Sequence, residues 1–204
     1  MNRPGKIVCV GRNYREHAKE MGNEVPSEPL IFLKPPSSMI RDGESVVLPP
    51  QSRQVEFEGE IGVLIGRRLK AVTSEEARSA VDRILAANDV TARDLQRSDS
   101  QWTRAKGFDT FCPTGEPAIM PADLSRLTLV TRVNGVERQR ANASDMVFPI
   151  PDLLAYISHV MTLEPGDLVL TGTPAGVGKL SPGDEVEVEI LGLSRVRNPV
   201  MAEA

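Results

Sequence analysis

Short apolar runs bounded by polar, glycine or proline residues recur along the chain and are typical of β-strands. Turn signals separate several of them. Asn134-Gly135 predicts a type I′ hairpin, and the Pro-Gly-Asp triplets at 165–167 and 182–184 each precede a strand. The predicted strands cover residues 6–10, 30–33, 45–48, 55–65, 127–133, 168–170 and 185–190. The pattern therefore predicts a β-rich domain.

Two longer segments carry helical signals. Thr73 and Glu76 form a capping box ahead of an apolar stripe, which predicts a helix over 74–87. The stripe consists of Ala77, Ala80, Val81, Ile84 and Leu85. Pro151 begins a second helix, with His159 near its end as a structural or surface residue. The inner side of this helix carries Leu153, Leu154 and Ile157.

A third, shorter helix is predicted over 14–21, with Asn13 as N-cap and Glu16 as its capping-box partner. About two turns of helix are marginal in water, so we expect a mobile segment that a ligand orders. His17 and Glu20 are spaced i, i+3 on it and therefore lie within reach of each other. The polar segment 97–105 is predicted to be a loop.

The strand over 55–65 is unusual because it enters an apolar stretch while still carrying carboxylates. Side chains alternate along a strand, so Glu56, Glu58 and Glu60 lie on one face. Neighbouring charges on that face repel by roughly 2–3 kcal/mol at an effective dielectric near 20. A solvated acidic face would tolerate this. A buried one is relieved most simply by Mg²⁺, Mn²⁺ or Ca²⁺, which prefer carboxylate oxygens.

Composition excludes several classes of protein. The net charge is −4 and no run of Lys or Arg stands out, so nucleic-acid binding is not expected. Cys9 and Cys112 are far apart and outside any C-x-x-C pattern, which indicates a reducing compartment; Cys9 is predicted to be a buried apolar residue. The chain shows no signal-peptide pattern and no apolar run long enough for a membrane span. These features predict a cytoplasmic protein.

Common catalytic motifs are also missing. The sequence contains no Gly-x-Ser-x-Gly, no His-Glu-x-x-His, no zinc-binding cysteine set and no Gly-x-Gly-x-x-Gly after a strand. The glycine-rich segment 171–178 lacks the Gly-Lys-[Ser/Thr] ending of a P-loop, although its backbone N–H groups could still bind a carboxylate. One carboxylate cluster, one His/Glu pair and several separate cations remain.

Six motifs, taken together and in order, make the sequence resemble the fumarylacetoacetate hydrolase family over almost its whole length. The resemblance is to the small single-domain acylpyruvases and oxaloacetate decarboxylases. The motifs are Gly11-Arg12-Asn13-Tyr14 with His17, Phe32-Leu33-Lys34-Pro35, Glu58-Gly59-Glu60, the segment 88–96 (NDVTARDLQ), the segment 106–111 (KGFDTF) and the segment 171–178 (TGTPAGVG).

The resemblance implies a fold and a domain organisation. We expect an α+β, β-rich fold in which mixed sheets form a rolled, sandwich-like structure with a few short helices. A single catalytic domain would cover 1–204. Its segment 1–52 would include a mobile lid around 13–24, and 53–204 would form the metal-binding core. Family members are commonly homodimers, so a homodimer is expected.

The resemblance also implies the site. Glu58, Glu60 and Asp89 match ligands of Mg²⁺ or Mn²⁺, with Ca²⁺ as a substitute in crystals, and Glu56 is left outside the ligand set. His17 and Glu20 match the acid/base pair, and Lys106 matches a further catalytic residue. The matches to substrate-binding positions are Arg12, Lys34, Arg93, Gln96 and Thr173.

The function implied is hydrolysis of a 2,4-dioxo acid, an acylpyruvate such as fumarylpyruvate or acetylpyruvate. His17, oriented by Glu20, would take a proton from water, and cleavage of C3–C4 would release pyruvate and a carboxylic acid. Decarboxylation of oxaloacetate and isomerisation of an unsaturated 2-oxo-diacid in aromatic catabolism are the alternatives. A binding protein with a structural Ca²⁺ site is the alternative from another class, but it leaves His17 and Lys106 without a role.

Overall fold

The computed structural model describes residues 3–20, 22 and 24–203. The strands are β1 (Ile7–Gly11), β2 (Leu30–Lys34), β3 (Met39–Arg41), β4 (Val46–Leu48), β5 (Val55–Phe57), β6 (Gly59–Ile65), β7 (Val81–Asn88), β8 (Thr91–Ala92), β9 (Cys112–Thr114), β10 (Ala118–Ile119), β11 (Thr128–Val133), β12 (Val136–Asn142), β13 (Leu168–Leu170), β14 (Gly178–Lys179), β15 (Glu185–Ile190) and β16 (Ser194–Ala202). The helices are α1 (Arg15–Glu20), α2 (Ser74–Arg78), α3 (Arg93–Ser98), α4 (Thr103–Gly107) and α5 (Ile150–Val160).

These strands form mixed sheets, which confirms the expected β-rich α+β fold. The largest sheet has the order β2-β1-β13-β6-β7-β9-β3, with β10 added beside β7. A five-stranded sheet follows the order β12-β11-β15-β16-β4, and β14-β5-β8 form a small third sheet. The pairs β1–β13, β3–β9 and β4–β16 are parallel, and each joins a strand before residue 52 to a later one.

The two larger sheets pack face to face. Strands β6 and β7 of the first sheet contact β11, β15 and β16 of the second, and α2 packs against α5. Buried residues between the sheets include Ile61, Val63, Leu129 and Val188. This packing leaves the ends of β6 and β7 as a junction between sheets, and the site lies at that junction.

One predicted helix is wrong in its second half. The capping box of Thr73 and Glu76 is present, but helix α2 ends at Arg78 and residues 81–88 form β7. Strand β7 lies between β6 and β9 and is buried on both faces along most of its length. Apolar residues on both faces of such a strand mimic a helical stripe, and β-branched Val81 and Ile84 fit the strand better.

Two further local predictions need correction. Helices α3 and α4 occupy much of the segment predicted as loop over 97–105. Asn13 does not cap α1: its side chain bonds the backbone of Phe148 and the carbonyl of Thr171. Helix α1 is described to Glu20; Met21, the predicted last helical residue, and Asn23 of the predicted lid lie outside the described residues.

The strand predicted over 55–65 is broken at Glu58 into β5 and β6, which belong to different sheets. The other turn and strand predictions are confirmed. Asn134 and Gly135 have φ values of 53° and 76° and join β11 to β12 as a type I′ turn requires. Both Pro-Gly-Asp turns lead into the predicted strands, and α5 carries an exposed His159. Cys9 and Cys112 are free and buried. None of the helices in the described ranges is long and apolar enough to cross a membrane.

Candidate active site

A cavity of about 60 Å³ collects most of the residues that the sequence singled out. It lies where β1 and β2 meet the start of β6 and the helices α3 and α4. The predicted residues that line it are Arg12, His17, Glu58, Glu60, Asp89, Arg93, Gln96, Lys106 and Thr173. Most of its lining residues are charged or polar, which indicates a site for a small charged ligand.

Three buried carboxylates form the floor of this cavity. Glu58 occupies the break between β5 and β6, Glu60 lies in β6, and Asp89 follows β7 directly. Gly59 pairs with Asn88, and the Asp89 N–H donates to the Glu58 carbonyl at 2.8 Å. The register of two adjacent strands therefore brings distant residues together. One oxygen from each carboxylate lies within 4.8 Å of the others.

Cations of the chain itself surround these carboxylates. Lys106 Nζ donates to Glu58 Oε2 at 2.8 Å and to Asp89 Oδ2 at 2.5 Å. Lys34 Nζ donates to the other Asp89 oxygen, Oδ1, at 2.7 Å and to the Val90 carbonyl at 3.1 Å. Lys34 is 1% exposed. The structure thus places Lys34 behind Asp89 as its hydrogen-bond partner, where the sequence predicted a substrate contact.

Arg93 and its partners form a second group beside the floor. Its guanidinium donates to Glu58, to Glu56 Oε2 at 2.8 Å and to Gln96. Glu56 also accepts from Gln54, at 2.6 Å. Glu56 therefore orients Arg93 and stays outside the carboxylate triad, as predicted.

The two glutamates of the triad have opposite pKa shifts. Burial opposes ionisation of Glu58, yet Lys106 and Arg93 outweigh it and hold the pKa of that carboxyl well below its usual range. Burial, Asp89 and Glu58 together raise the pKa of Glu60 well above its usual range. Burial disfavours charge on Lys106, but Asp89 and Glu58 raise its pKa. Negative charge at Glu60 is thus less compensated than negative charge at Glu58.

This donor set fits a divalent cation. Three converging carboxylates offer only oxygen ligands, which suits Mg²⁺, Mn²⁺ or Ca²⁺. A cation at the triad would relieve the repulsion that raises the pKa of Glu60. Glu60 is oriented by the Gly172 N–H, which donates to its Oε2 at 2.6 Å.

The predicted acid/base pair closes one side of the cavity. His17 is 6% exposed on α1, and its Nδ1 lies 3.3 Å from Glu20 Oε2. Both oxygens of Glu20 accept from the Gly176 N–H, at 3.1 and 3.2 Å. Glu20 therefore binds α1 to the glycine-rich loop while it contacts the imidazole.

The turn before α1 is held in a demanding conformation. Arg12, which lines the cavity, has a φ of 58°, a region that non-glycine residues rarely occupy. The buried side chain of Asn13 binds Phe148 and Thr171 and so fixes this turn. Strain of this kind, of order 1–3 kcal/mol, clusters at functional sites.

Sequence reasoning did not assign roles to three residues here. Phe32 and Trp102 form an aromatic wall, with ring centroids 5.2 Å apart, and Lys106 Nζ lies 5.0 Å from the Phe32 centroid. Gln139 connects Gly59 to the loop that carries Thr173. Trp102 was noticeable as the chain's only tryptophan, but no local signal identified Gln139.

Comparisons with known proteins point to one family. A profile of the fumarylacetoacetate (FAA) hydrolase C-terminal family matches residues 6–201. Human mitochondrial oxaloacetate tautomerase FAHD2A is 44% identical over 214 residues, covering 98% of this chain and 68% of the human protein.

Solved structures show the same similarity. The crystal structure of 5-carboxymethyl-2-hydroxymuconate delta-isomerase from Mycobacterium smegmatis is 43% identical, with a TM-score of 0.92, covering 99% of this chain and 80% of that one. Fumarylpyruvate hydrolase from Pseudomonas aeruginosa, in complex with Mn²⁺ and pyruvate, is 29% identical, with a TM-score of 0.93, covering 98% and 91% of the two chains.

Proposed function

The chain belongs to the fumarylacetoacetate hydrolase family, and from this premise we propose that it is a divalent-metal-dependent enzyme acting on small 2-oxo acids through their enol or enolate form. One observation carries the proposal: the triad of Glu58, Glu60 and Asp89 and the imidazole of His17 line the same cavity. The predicted Mg²⁺ or Mn²⁺ would be held by that triad. When bound, it would supply Lewis-acid polarisation of the 2-oxo group.

The residues of the chain explain how such a substrate would be held. Arg93 and Lys106 supply positive charge beside the triad and Gln96 adds an amide, a set that complements a 2-oxo acid carboxylate. Lys106 and Arg93 also favour negative charge on the substrate oxygen as an enolate develops. The wall of Phe32 and Trp102 would give the carbon chain of the substrate an apolar surface to pack against.

His17 would move the proton. Glu20 at 3.3 Å from Nδ1 orients the imidazole so that its other nitrogen serves as acid or base. In tautomerisation, that nitrogen takes a proton from C3 of the oxo form, and a proton is delivered to the oxygen at C2. No water and no other reactant is consumed. We place enol–oxo conversion of oxaloacetate first, supported by the similarity to the human tautomerase.

Hydrolysis of acylpyruvates is the second candidate, and the His17–Glu20 pair supports it. The same imidazole can take a proton from water, whose hydroxide attacks C4, and C3–C4 cleavage then releases a carboxylic acid and the enolate of pyruvate. Return of the proton from the imidazole to C3 yields pyruvate. The Pseudomonas relative bound to Mn²⁺ and pyruvate also favours it. Decarboxylation of oxaloacetate would use the same electrophilic groups but needs no attacking water.

The test runs three assays in parallel: loss of the oxaloacetate enol by its ultraviolet absorbance, and pyruvate release from acetylpyruvate and from oxaloacetate. Each is done with Mn²⁺, with EDTA and with His17→Ala. His159→Ala is the matched control, because His159 is the chain's other histidine and is exposed on α5. We expect tautomerisation to require metal and to fall about 10²–10⁴-fold in His17→Ala only, the range of general acid–base catalysis.

Other results would change the assignment. Metal-dependent pyruvate release from acetylpyruvate that exceeds tautomerisation would make the chain a hydrolase, and release from oxaloacetate alone would make it a decarboxylase. No reaction in any assay would refute the enzymatic proposal. The identity of the ion as Mg²⁺ or Mn²⁺, the cytoplasmic location and the homodimer stay predictions.

A further inference from the structure

Gln139 is a buried polar residue in an exposed strand. Within β12, whose seven residues are all described, it alone is buried, at 1% exposure. Strand β12 is the edge of the five-stranded sheet, and the Gln139 side chain reaches β6 of the eight-stranded sheet. A glutamine in such a position is stable only if its amide is fully used.

The side-chain amide of Gln139 contacts the backbone of Gly59, which lies between the triad residues Glu58 and Glu60. Gln139 Oε1 accepts from the Gly59 N–H at 3.0 Å, and the Gly59 carbonyl accepts from Thr173 Oγ1 at 2.9 Å. Gln139 Nε2 donates to the same Thr173 oxygen at 2.8 Å and closes the ring. Strand β13 pairs with β6 but ends at Leu170. The side chains of Gln139 and Thr173 therefore supply the hydrogen bonds to Gly59 that a longer β13 would have made.

The same amide holds the glycine-rich loop. Gln139 Nε2 also donates to the Pro174 carbonyl at 2.8 Å. Two residues further on, Gly176 binds Glu20 of α1. A Cβ at Gly176 would lie 2.1 Å from the Arg138 carbonyl oxygen, so the loop lies directly against β12 beside Gln139. The side chain therefore contacts both the backbone of the triad and the loop that binds the His17–Glu20 pair.

We propose that Gln139 is a positioning residue that couples the spacing of Glu58 and Glu60 to the docking of α1. Its amide holds the Gly59 peptide and the loop 173–176 in one arrangement, so the metal ligands and the docking point for Glu20 form together. The expected effect on metal binding rests on the proposed function, whereas the expected effect on the structure of the strand and the loop does not.

The test compares Gln139→Met, which keeps the length of the side chain but removes its hydrogen bonds, with Thr131→Val. Thr131 is a matched control because its buried hydroxyl faces Gly59 and has no hydrogen-bond partner among the described residues. Hydrogen–deuterium exchange of the metal-free proteins is measured for residues 57–61 and 171–178. We expect about tenfold faster exchange in both segments for Gln139→Met and unchanged exchange for Thr131→Val.

Affinity for Mn²⁺ is measured next from quenching of the fluorescence of Trp102, the only tryptophan, which lines the cavity. Residues that orient metal ligands typically contribute 10–100-fold to affinity, so we expect Gln139→Met to weaken Mn²⁺ binding by at least tenfold. A residue that only stabilises the fold would lower the melting temperature and leave the affinity of the folded protein unchanged. If Gln139→Met does not fold, Gln139→Asn, whose amide is one methylene too short, is expected to show both effects.

Each failure has a distinct meaning. Faster exchange in only one of the two segments would overturn the coupling, and unchanged Mn²⁺ affinity would overturn the positioning role. Absence of Mn²⁺ binding in the unsubstituted protein would refute the proposed function instead, and the exchange data alone would then decide whether Gln139 couples strand and loop.

Discussion

The substitution Gly59→Ala tests the packing around this residue, and the structure gives the size of the expected loss in free energy of unfolding. A Cβ at this position would lie 1.9 Å from Thr131 Oγ1, whereas ordinary contacts begin near 3.4 Å. Strand β6 or β11 must therefore shift by more than 1 Å, or Thr131 must change rotamer. Overpacking of this kind costs about 1–3 kcal/mol. For a domain of this size, that lowers the melting temperature by about 2–12 °C.

A second substitution should relieve this strain. Thr131→Ala removes the oxygen at 1.9 Å and leaves the Thr131 Cβ at 3.2 Å and Gln139 Oε1 at 3.1 Å as the nearest atoms. We therefore expect the double variant Gly59→Ala/Thr131→Ala to unfold at a higher temperature than Gly59→Ala alone. The coupling free energy should be of order 1–2 kcal/mol, within the range for residues in direct contact.

The measurement is thermal and urea unfolding of the four proteins in this cycle, followed by circular dichroism. Gly178→Ala is the matched control, because its Cβ would meet only the edge of the Phe57 ring at 3.2 and 3.4 Å and should cost less. If Gly59→Ala melts with the unsubstituted protein, or Thr131→Ala gives no relief, the packing of β6 against β11 is not as described.

Three other outcomes follow from the site. Mn²⁺ at 100 times its dissociation constant should add about 2.7 kcal/mol to the free energy of unfolding; calorimetry should show little of this gain in Glu60→Gln, and an equal gain would exclude Glu60 as a ligand. Lys34→Met leaves Asp89 Oδ1 without its lysine partner, while Lys106 still contacts Oδ2, and should cost about 1–3 kcal/mol in urea unfolding. Exposed Lys70→Met should cost almost nothing, and similar losses in the two variants would contradict the ion pair between Lys34 and Asp89. Burial raises the pKa of Cys112 to about 12. The buried thiol therefore contributes fully to the free energy of unfolding below the unfolded pKa near 9, and this contribution is lost as pH rises towards 12. The difference in free energy of unfolding between the unsubstituted protein and Cys112→Ala should narrow over that range, and a constant difference would contradict the burial of the thiol.

The prediction over 74–87 shows where local pattern reasoning fails. The start signal at Thr73 and Glu76 was correct, since a capping box depends only on residues within one turn. The end of the helix was not, because the apolar residues from Val81 onwards face neighbours in two adjacent strands and in the opposite sheet. Period alone does not distinguish a short helix from a strand buried on both faces.

The motifs also identified most residues of the site, but they did not identify what each residue contacts. The triad, His17 and Arg93 were predicted from motif resemblance, and the structure brings them to one cavity. Lys34 was assigned to the substrate, but the structure places its amine on Asp89. Motif matching identifies chemistry-bearing residues, whereas which of two nearby charges a lysine contacts depends on distances of a few ångströms between strands.

The sequence by itself determined the β-rich class, the hairpin at Asn134, both Pro-Gly-Asp turns and the residue types of the site, because these depend on neighbours along the chain or on motif identity. Only the tertiary structure decided that β7 is a strand, that Lys34 supports Asp89 and that Gln139 joins two sheets. Gln139 lies 80 residues from Gly59 in the chain. Contacts of that range form only when whole sheets pack against each other. No local pattern in the sequence therefore predicts that the Gln139 amide binds the Gly59 N–H.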